Sequence, residues 1–173
     1  MGPPSEIISG LWLANFESAQ DKFLLNKLKI SRVLTVGNRS PIDNSLLSAD
    51  NQGEIRQDDD GIIYKLLWAM DSTDQNLLQH FCDCFHFIDE SLRSQAGIMV
   101  HCHMGFSRSA ALVIGYLMRA ESLTYEEAFA RVRKKRIVGP NSGFIRQLEM
   151  FERNKWDVER DYGDDFVFDE GDF

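Results

Sequence analysis

Short β-branched and apolar runs alternate along this chain with segments whose apolar residues recur every three or four positions, and this alternation limits the folds open to it. Residues 32–36, 62–68 and 97–101 read as buried strands, the second interrupted only by Lys65. Between the last two, Leu77, Leu78, Phe81, Phe85, Ile88 and Leu92 mark a long amphipathic helix, whose start Ser72, Thr73 or Asp74 can cap. Residues 109–120 predict a mostly apolar helix, and Thr124-Tyr125-Glu126-Glu127 is a capping box opening another that runs to about Arg136. Gly139-Pro140 breaks that helix, and a last one follows from 142 to about 155. Upstream, Ile7-Ile8 and Leu11-Trp12-Leu13 are two short strands around Gly10, followed by helical spacing over 17–28. Strands interleaved with helices predict a layered α/β domain with a central, largely parallel sheet of about five strands flanked by helices.

At 173 residues and 43% hydrophobic, the chain has the material for one core. We expect one domain over 1–155 and an acidic tail over 156–173, with no internal repeat and one polar loop at 38–61. The net charge of −8 belongs mostly to the tail: residues 157–173 hold eight Asp and Glu against the single Arg160, which leaves the body near −1. Such a chain is not expected to bind nucleic acid through a general basic surface. No apolar run approaches the roughly 20 residues of a membrane helix. Residues 1–9 lack secretory character, and Glu6 stands where myristoylation needs Ser or Thr. Three cysteines, Cys82, Cys84 and Cys102, are too few for a disulfide framework. An intracellular protein, cytoplasmic or nuclear or both, with no membrane partner, is therefore expected.

The stretch from Val100 to Ser109 carries the chemistry. A Cys followed after five residues by an Arg is weak evidence alone, since with three Cys and twelve Arg chance supplies one such pair about one time in five. Its context strengthens it. A strand enters the segment and a helix leaves it, so the intervening N–H groups can turn inward as an anion cradle at a helix N-terminus. Gly105 permits a backbone conformation closed to other residues, and the planar fork of Arg108 can bind two phosphate oxygens. At the base of this nest the Cys102 thiolate is favoured by the N–H groups, the helix dipole and Arg108. Ser109 can hydrogen-bond the sulfur, and His101 can orient the loop from beneath.

The string His101-Cys102-x-x-Gly105-x-Ser107-Arg108-Ser109 resembles the active-site signature of the cysteine-dependent protein phosphatases, and most of all their dual-specificity branch. Residues 7–14, 64–71, 115–118 and Pro140-Asn141-Ser142-Gly143-Phe144 with Gln147-Leu148 are similar to that branch in order and spacing, so the likeness covers about 7–152. The resemblance implies a phosphotyrosine-phosphatase-like fold. It implies Cys102 as nucleophile, Arg108 as phosphate clamp, and a phosphate-binding loop of His103, Met104, Gly105, Phe106, Ser107 and Arg108, supported by Ser109 and His101. It also implies an Asp about thirty residues before the Cys that protonates the leaving oxygen and later activates water. Asp71, 31 residues before Cys102, is favoured over Asp74, which is better placed to cap the helix. The implied reaction runs through a phosphocysteine with no metal or other cofactor.

No segment resembles the loop that deepens the cleft of the tyrosine-specific branch, so phosphotyrosine and phosphoserine or phosphothreonine in a phosphorylated protein are the implied substrates. Relatives of this fold also act on inositol, RNA and glycan phosphates. Here no Lys stands among His103, Met104, Phe106 and Ser107, which argues against a highly anionic headgroup, and Phe106 suits a slot for an aromatic ring. An inactive phospho-binding module is a third reading, set against the presence of both Cys102 and Arg108. The sequence leaves the oligomeric state open.

Other clusters have plainer readings. His80, Cys82, Cys84 and His86 alternate along a helix, where neighbours two apart point about 200° away from each other, so core and surface roles are favoured over a metal site. Cys82 or Cys84 could also serve as a resolving thiol for oxidised Cys102. The basic run Arg131, Arg133, Lys134, Lys135 and Arg136 suits a helix C-terminus, with substrate recruitment or nuclear import as alternatives. Phe166-Val167-Phe168 amid acids could dock on that run or on a partner.

Overall fold

The computed structural model describes residues 2–162 and shows a six-stranded mixed sheet with helices on both faces. The strands are β1 (Ser5–Ile8), β2 (Leu11–Ala14), β3 (Ile30–Gly37), β4 (Glu54–Gln57), β5 (Ile63–Trp68) and β6 (Gly97–His101), in spatial order β1-β2-β6-β3-β5-β4. The inner four are parallel, while β1 pairs antiparallel with β2 and β4 with β5. The helices are α1 (Phe16–Gln20), α2 (Lys22–Lys27), α3 (Phe81–Arg93), α4 (Arg108–Glu121), α5 (Tyr125–Arg133) and α6 (Ser142–Arg153).

Period-two alternation divides the inner strands between two cores. Leu34, Val36, Leu67, Ile98 and Val100 face the larger core with α3 to α6, whereas Val33, Leu66 and Met99 face a smaller one beneath α2. Burial on both faces is why these strands read as nearly continuous apolar runs. Strand β4, inside the loop expected over 38–61, is the sixth. It is an edge strand with charges on it, and Arg56 pairs there with Glu54 and Asp43.

Three other expectations change. The helix read over 17–28 is two short helices, because Asp21 adopts an extended ψ of 93° and its carboxylate accepts the N–H of Leu24. The helix expected to start at Ser72, Thr73 or Asp74 begins at Phe81, after a 3-10 turn over Leu78–His80. None of those three residues caps it: the N–H groups of Leu77 and Leu78 donate to Oε1 of buried Gln147, on α6. Finally, packing runs past 155. Trp156 donates its indole N–H to the carbonyl of Leu123, and Trp156, Val158 and Tyr162 lie against the larger core. The acidic and aromatic residues from 163 on, including Phe166-Val167-Phe168, lie outside the described residues.

The four parallel strands end together at Ala14, Gly37, Trp68 and His101, the edge where ligands gather in parallel α/β sheets.

Candidate active site

Cys102 follows β6 directly and is 3% exposed, at the floor of the loop that leads into α4. Its sulfur accepts the N–H of Gly105 at 3.2 Å and the hydroxyl of Ser109 at 3.1 Å. Burial pushes this thiol up. The Ser109 hydroxyl and N–H, the Arg108 charge and the Phe106 N–H outweigh that effect and bring it below the ordinary cysteine value.

The carbonyls of the loop explain why its N–H groups can face inward, since each takes a donor from outside. The carbonyl of Cys102 accepts from His101 Nδ1 at 3.2 Å and that of His103 from the N–H of Phe16 at 3.1 Å. Arg136 serves the next two, with Nη2 on Met104 O at 3.2 Å and Nε on Gly105 O at 2.9 Å. Phe106 O accepts the N–H of Gly139 and Ser107 O that of Ala111. Gly105 has φ +64°, and a Cβ there would stand 2.2 Å from the carbonyl oxygen of Ala14, so the loop has no room for a side chain at this position.

His101 lies fully buried under the loop. A carbonyl only accepts, so Nδ1 carries the proton toward Cys102 O, and Nε2 accepts from the Thr35 hydroxyl at 2.8 Å. Burial pushes the imidazole down to about 4, so it is neutral at pH 7. Arg108 extends Nη1 to the carbonyl of Ala69 at 3.1 Å, while its buried Nε makes no hydrogen bond.

Asp71 stands over the loop. Its Oδ1 accepts the Ser107 hydroxyl at 2.7 Å and the side-chain amide of Asn141 at 2.9 Å, and Oδ2 lies 3.9 Å from Arg108 Nε. Asn141 also caps α6, its Oδ1 accepting the N–H of Phe144 at 3.0 Å. Asp74 is exposed and bonded locally to Ser72. The structure thus brings Cys102, His101, Arg108, Ser109, Ser107, Gly105 and Asp71 together, with His103, Met104 and Phe106 exposed on the outer side of the loop.

The sequence reading missed Arg136, Asn141 and Thr35. Arg136 belongs to the run assigned to a helix end, yet it is half-buried against the loop and also donates Nη1 to Pro3 O at 2.8 Å. The signal for Asn141 was present, since Pro140-Asn141 ahead of a helical pattern is a cap sequence. Nothing in the spacing points to Thr35. Cys84 is buried in the larger core, Cys82 donates to Glu159 at 3.2 Å, and among the described residues no three His, Cys, Asp or Glu side chains converge on a metal-sized site.

A buried cysteine with its thiol held below the ordinary value, beside a buried arginine Nε that makes no hydrogen bond, sits at the end of a parallel sheet, and comparison gives the family. The chain belongs to the dual specificity phosphatase family: residues 11–154 match the family model described as "Dual specificity phosphatase, catalytic domain". It is 36% identical over 152 residues to dual specificity protein phosphatase 1 of Arabidopsis thaliana, covering 87% of this chain and 70% of that one. It is 34% identical over 152 residues to human dual specificity protein phosphatase 22, covering 87% and 74%. Among solved structures, the human tyrosine phosphatase-like serine/threonine/tyrosine-interacting protein superposes with a TM-score of 0.73 at 30% identity, covering 87% of this chain and 96% of that one.

Proposed function

We propose that the protein hydrolyses phosphotyrosine and phosphoserine or phosphothreonine in phosphorylated proteins through a phosphocysteine on Cys102. The observation that carries this reading is the thiol held below its ordinary pKa beside the buried Arg108 Nε, which makes no hydrogen bond and lies 3.9 Å from Asp71 Oδ2. Substrate phosphate takes the Arg108 fork and the inward N–H groups, which bear the charge of the equatorial oxygens in the transition state. Sγ attacks phosphorus as the ester P–O bond breaks, and Asp71 gives its proton to the leaving oxygen. Water then attacks the phosphocysteine and loses its proton to Asp71, while the S–P bond breaks to return the thiolate. The Ser109 hydroxyl stabilises the departing sulfur. Asn141 and Ser107 hold the Asp71 carboxyl over the loop. Three free thiols suit a reducing compartment, cytoplasm or nucleus, and among the described residues no helix is long and apolar enough to cross a membrane.

The test is hydrolysis of an aryl phosphate in EDTA and reductant by wild type, Cys102→Ser and Asp71→Asn across pH 5 to 8. Wild type turns over and Cys102→Ser is dead. Asp71→Asn is slower, because its amide has no proton to give the leaving oxygen. Turnover by Cys102→Ser would overturn the assignment.

A further inference from the structure

Among the described residues, seven large hydrophobic side chains are exposed, and five of them stand on segments bordering the Cys102 loop. Met104 and Phe106 are in the loop. Met70 precedes Asp71, which accepts from Ser107 of the loop. Ile137 follows Arg136, whose guanidinium grips Met104 O and Gly105 O, and precedes Gly139, whose N–H bonds Phe106 O. Leu46 bridges to Arg39, which lines the hollow beside Cys102 with His103 and Phe16. These five are 42% to 82% exposed, with Ile137 the most open. The tip of the Phe106 ring packs against Gly139, where a Cβ would stand 2.6 Å from Cζ. Apolar side chains scattered over a surface need no explanation; five drawn from four loops around one recessed anion site do.

We propose that this rim binds the apolar residues flanking a phosphorylated residue in a polypeptide, so that the preferred substrates are phosphopeptides with large aliphatic or aromatic neighbours on either side of the phosphate. The inference rests on the phosphatase reading and names its substrate class. The occupant follows from continuity: phosphate reaching Arg108 Nε, which makes no hydrogen bond within the chain, brings the residues beside it toward Met70, Phe106 and Ile137. The arrangement favours a peptide over a membrane, because the apolar residues stand on separate loops next to a recessed site instead of forming one face of an amphipathic helix.

The test compares two phosphotyrosine peptides, one with Leu and Phe beside the phosphotyrosine and one with Ser and Gln there, using wild type and the Met70→Gln/Ile137→Gln double variant. Wild type favours the apolar peptide in kcat/KM by roughly tenfold, the scale of burying part of two such side chains. The double variant brings that ratio close to one and leaves hydrolysis of a small aryl phosphate within about twofold of wild type. The same peptides titrated against Cys102→Ser by fluorescence anisotropy read the preference without turnover. A chain that fails to hydrolyse either substrate would sink the phosphatase reading, while the affinities still decide the rim. Equal affinities for the two peptides, or a preference the double variant keeps, would overturn the rim. So would sedimentation with phosphatidylcholine/phosphatidylserine vesicles that the double variant loses while peptide selectivity stays.

Discussion

Burial to 3% exposure disfavours a charged sulfur, and at Cys102 the offset comes from a small number of named groups. The Ser109 hydroxyl is the largest of these, at 3.1 Å. A hydrogen bond to a charged group contributes about 1.5–3 kcal/mol, so Ser109→Ala should raise the pH midpoint of Cys102 alkylation by iodoacetate by about one to two units and slow turnover by about ten- to a hundredfold. An unchanged midpoint would show that the hydroxyl does not hold the sulfur's charge. Arg136 acts at one remove. Burial lowers its own pKa, the Cys102 charge partly offsets this, and its fork satisfies two consecutive carbonyls of the loop, those of Met104 and Gly105. Arg136→Met is expected to shift the alkylation midpoint upward and lower kcat/KM on an aryl phosphate by about tenfold or more, with Arg136→Lys intermediate because an ammonium lacks the planar fork. A folded Arg136→Met with wild-type alkylation and kcat would reduce the residue to a surface contact.

At the scale of elements, the N-terminus of α6 and the segment carrying Asp71 share one side chain. Asn141 caps α6 through Oδ1 and holds Asp71 through Nδ2, and these roles separate by substitution. Asn141→Asp keeps the cap acceptor but faces Asp71 with a second carboxylate, so melting temperature is expected to stay near wild type while kcat falls by about tenfold. Asn141→Ala loses both, with about 1 kcal/mol of stability gone as well. Full activity in the Asp variant would show that Asn141 only caps. This sharing also explains what the sequence made legible. The stretch β6, loop, α4 is contiguous, so strand, Gly105 and helix could be read in one pass, together with the Cys102–Arg108 pair. Strand β4 could not, because an exposed edge strand has no apolar alternation to show. The capping of the turn before α3 by Gln147, some 70 residues away, leaves no local trace, and Ser72, Thr73 and Asp74 supplied a false one. Arg136 was hidden for the same reason: beside four other cations it reads as a helix end, and only tertiary structure turns it toward Met104 and Gly105.

For the whole molecule, the parallel strands converge on one edge, and the fully buried imidazole there couples site chemistry to global stability. His101 is pushed down to about 4 by burial, with the carbonyl of Cys102 opposing and Arg108 assisting, against an ordinary value of 6.5. A group whose pKa is depressed by folding stabilises the fold fully above its unfolded value and loses that contribution as pH falls through its folded value. The window is therefore pH 6.5 down to about 4, and the contribution at stake is roughly 3 kcal/mol. His80, also lowered by burial, titrates in the same direction, so the quantity to measure is a difference between proteins. Urea unfolding of wild type and His101→Gln at pH 7 and pH 4.5 isolates it. Gln can keep a donor toward Cys102 O but takes no proton, so the variant starts less stable and loses less on acidification, by an amount on the order of 2 kcal/mol. Parallel losses in the two proteins would mean that His101 does not couple protonation to folding, and that acid lability arises elsewhere in the fold.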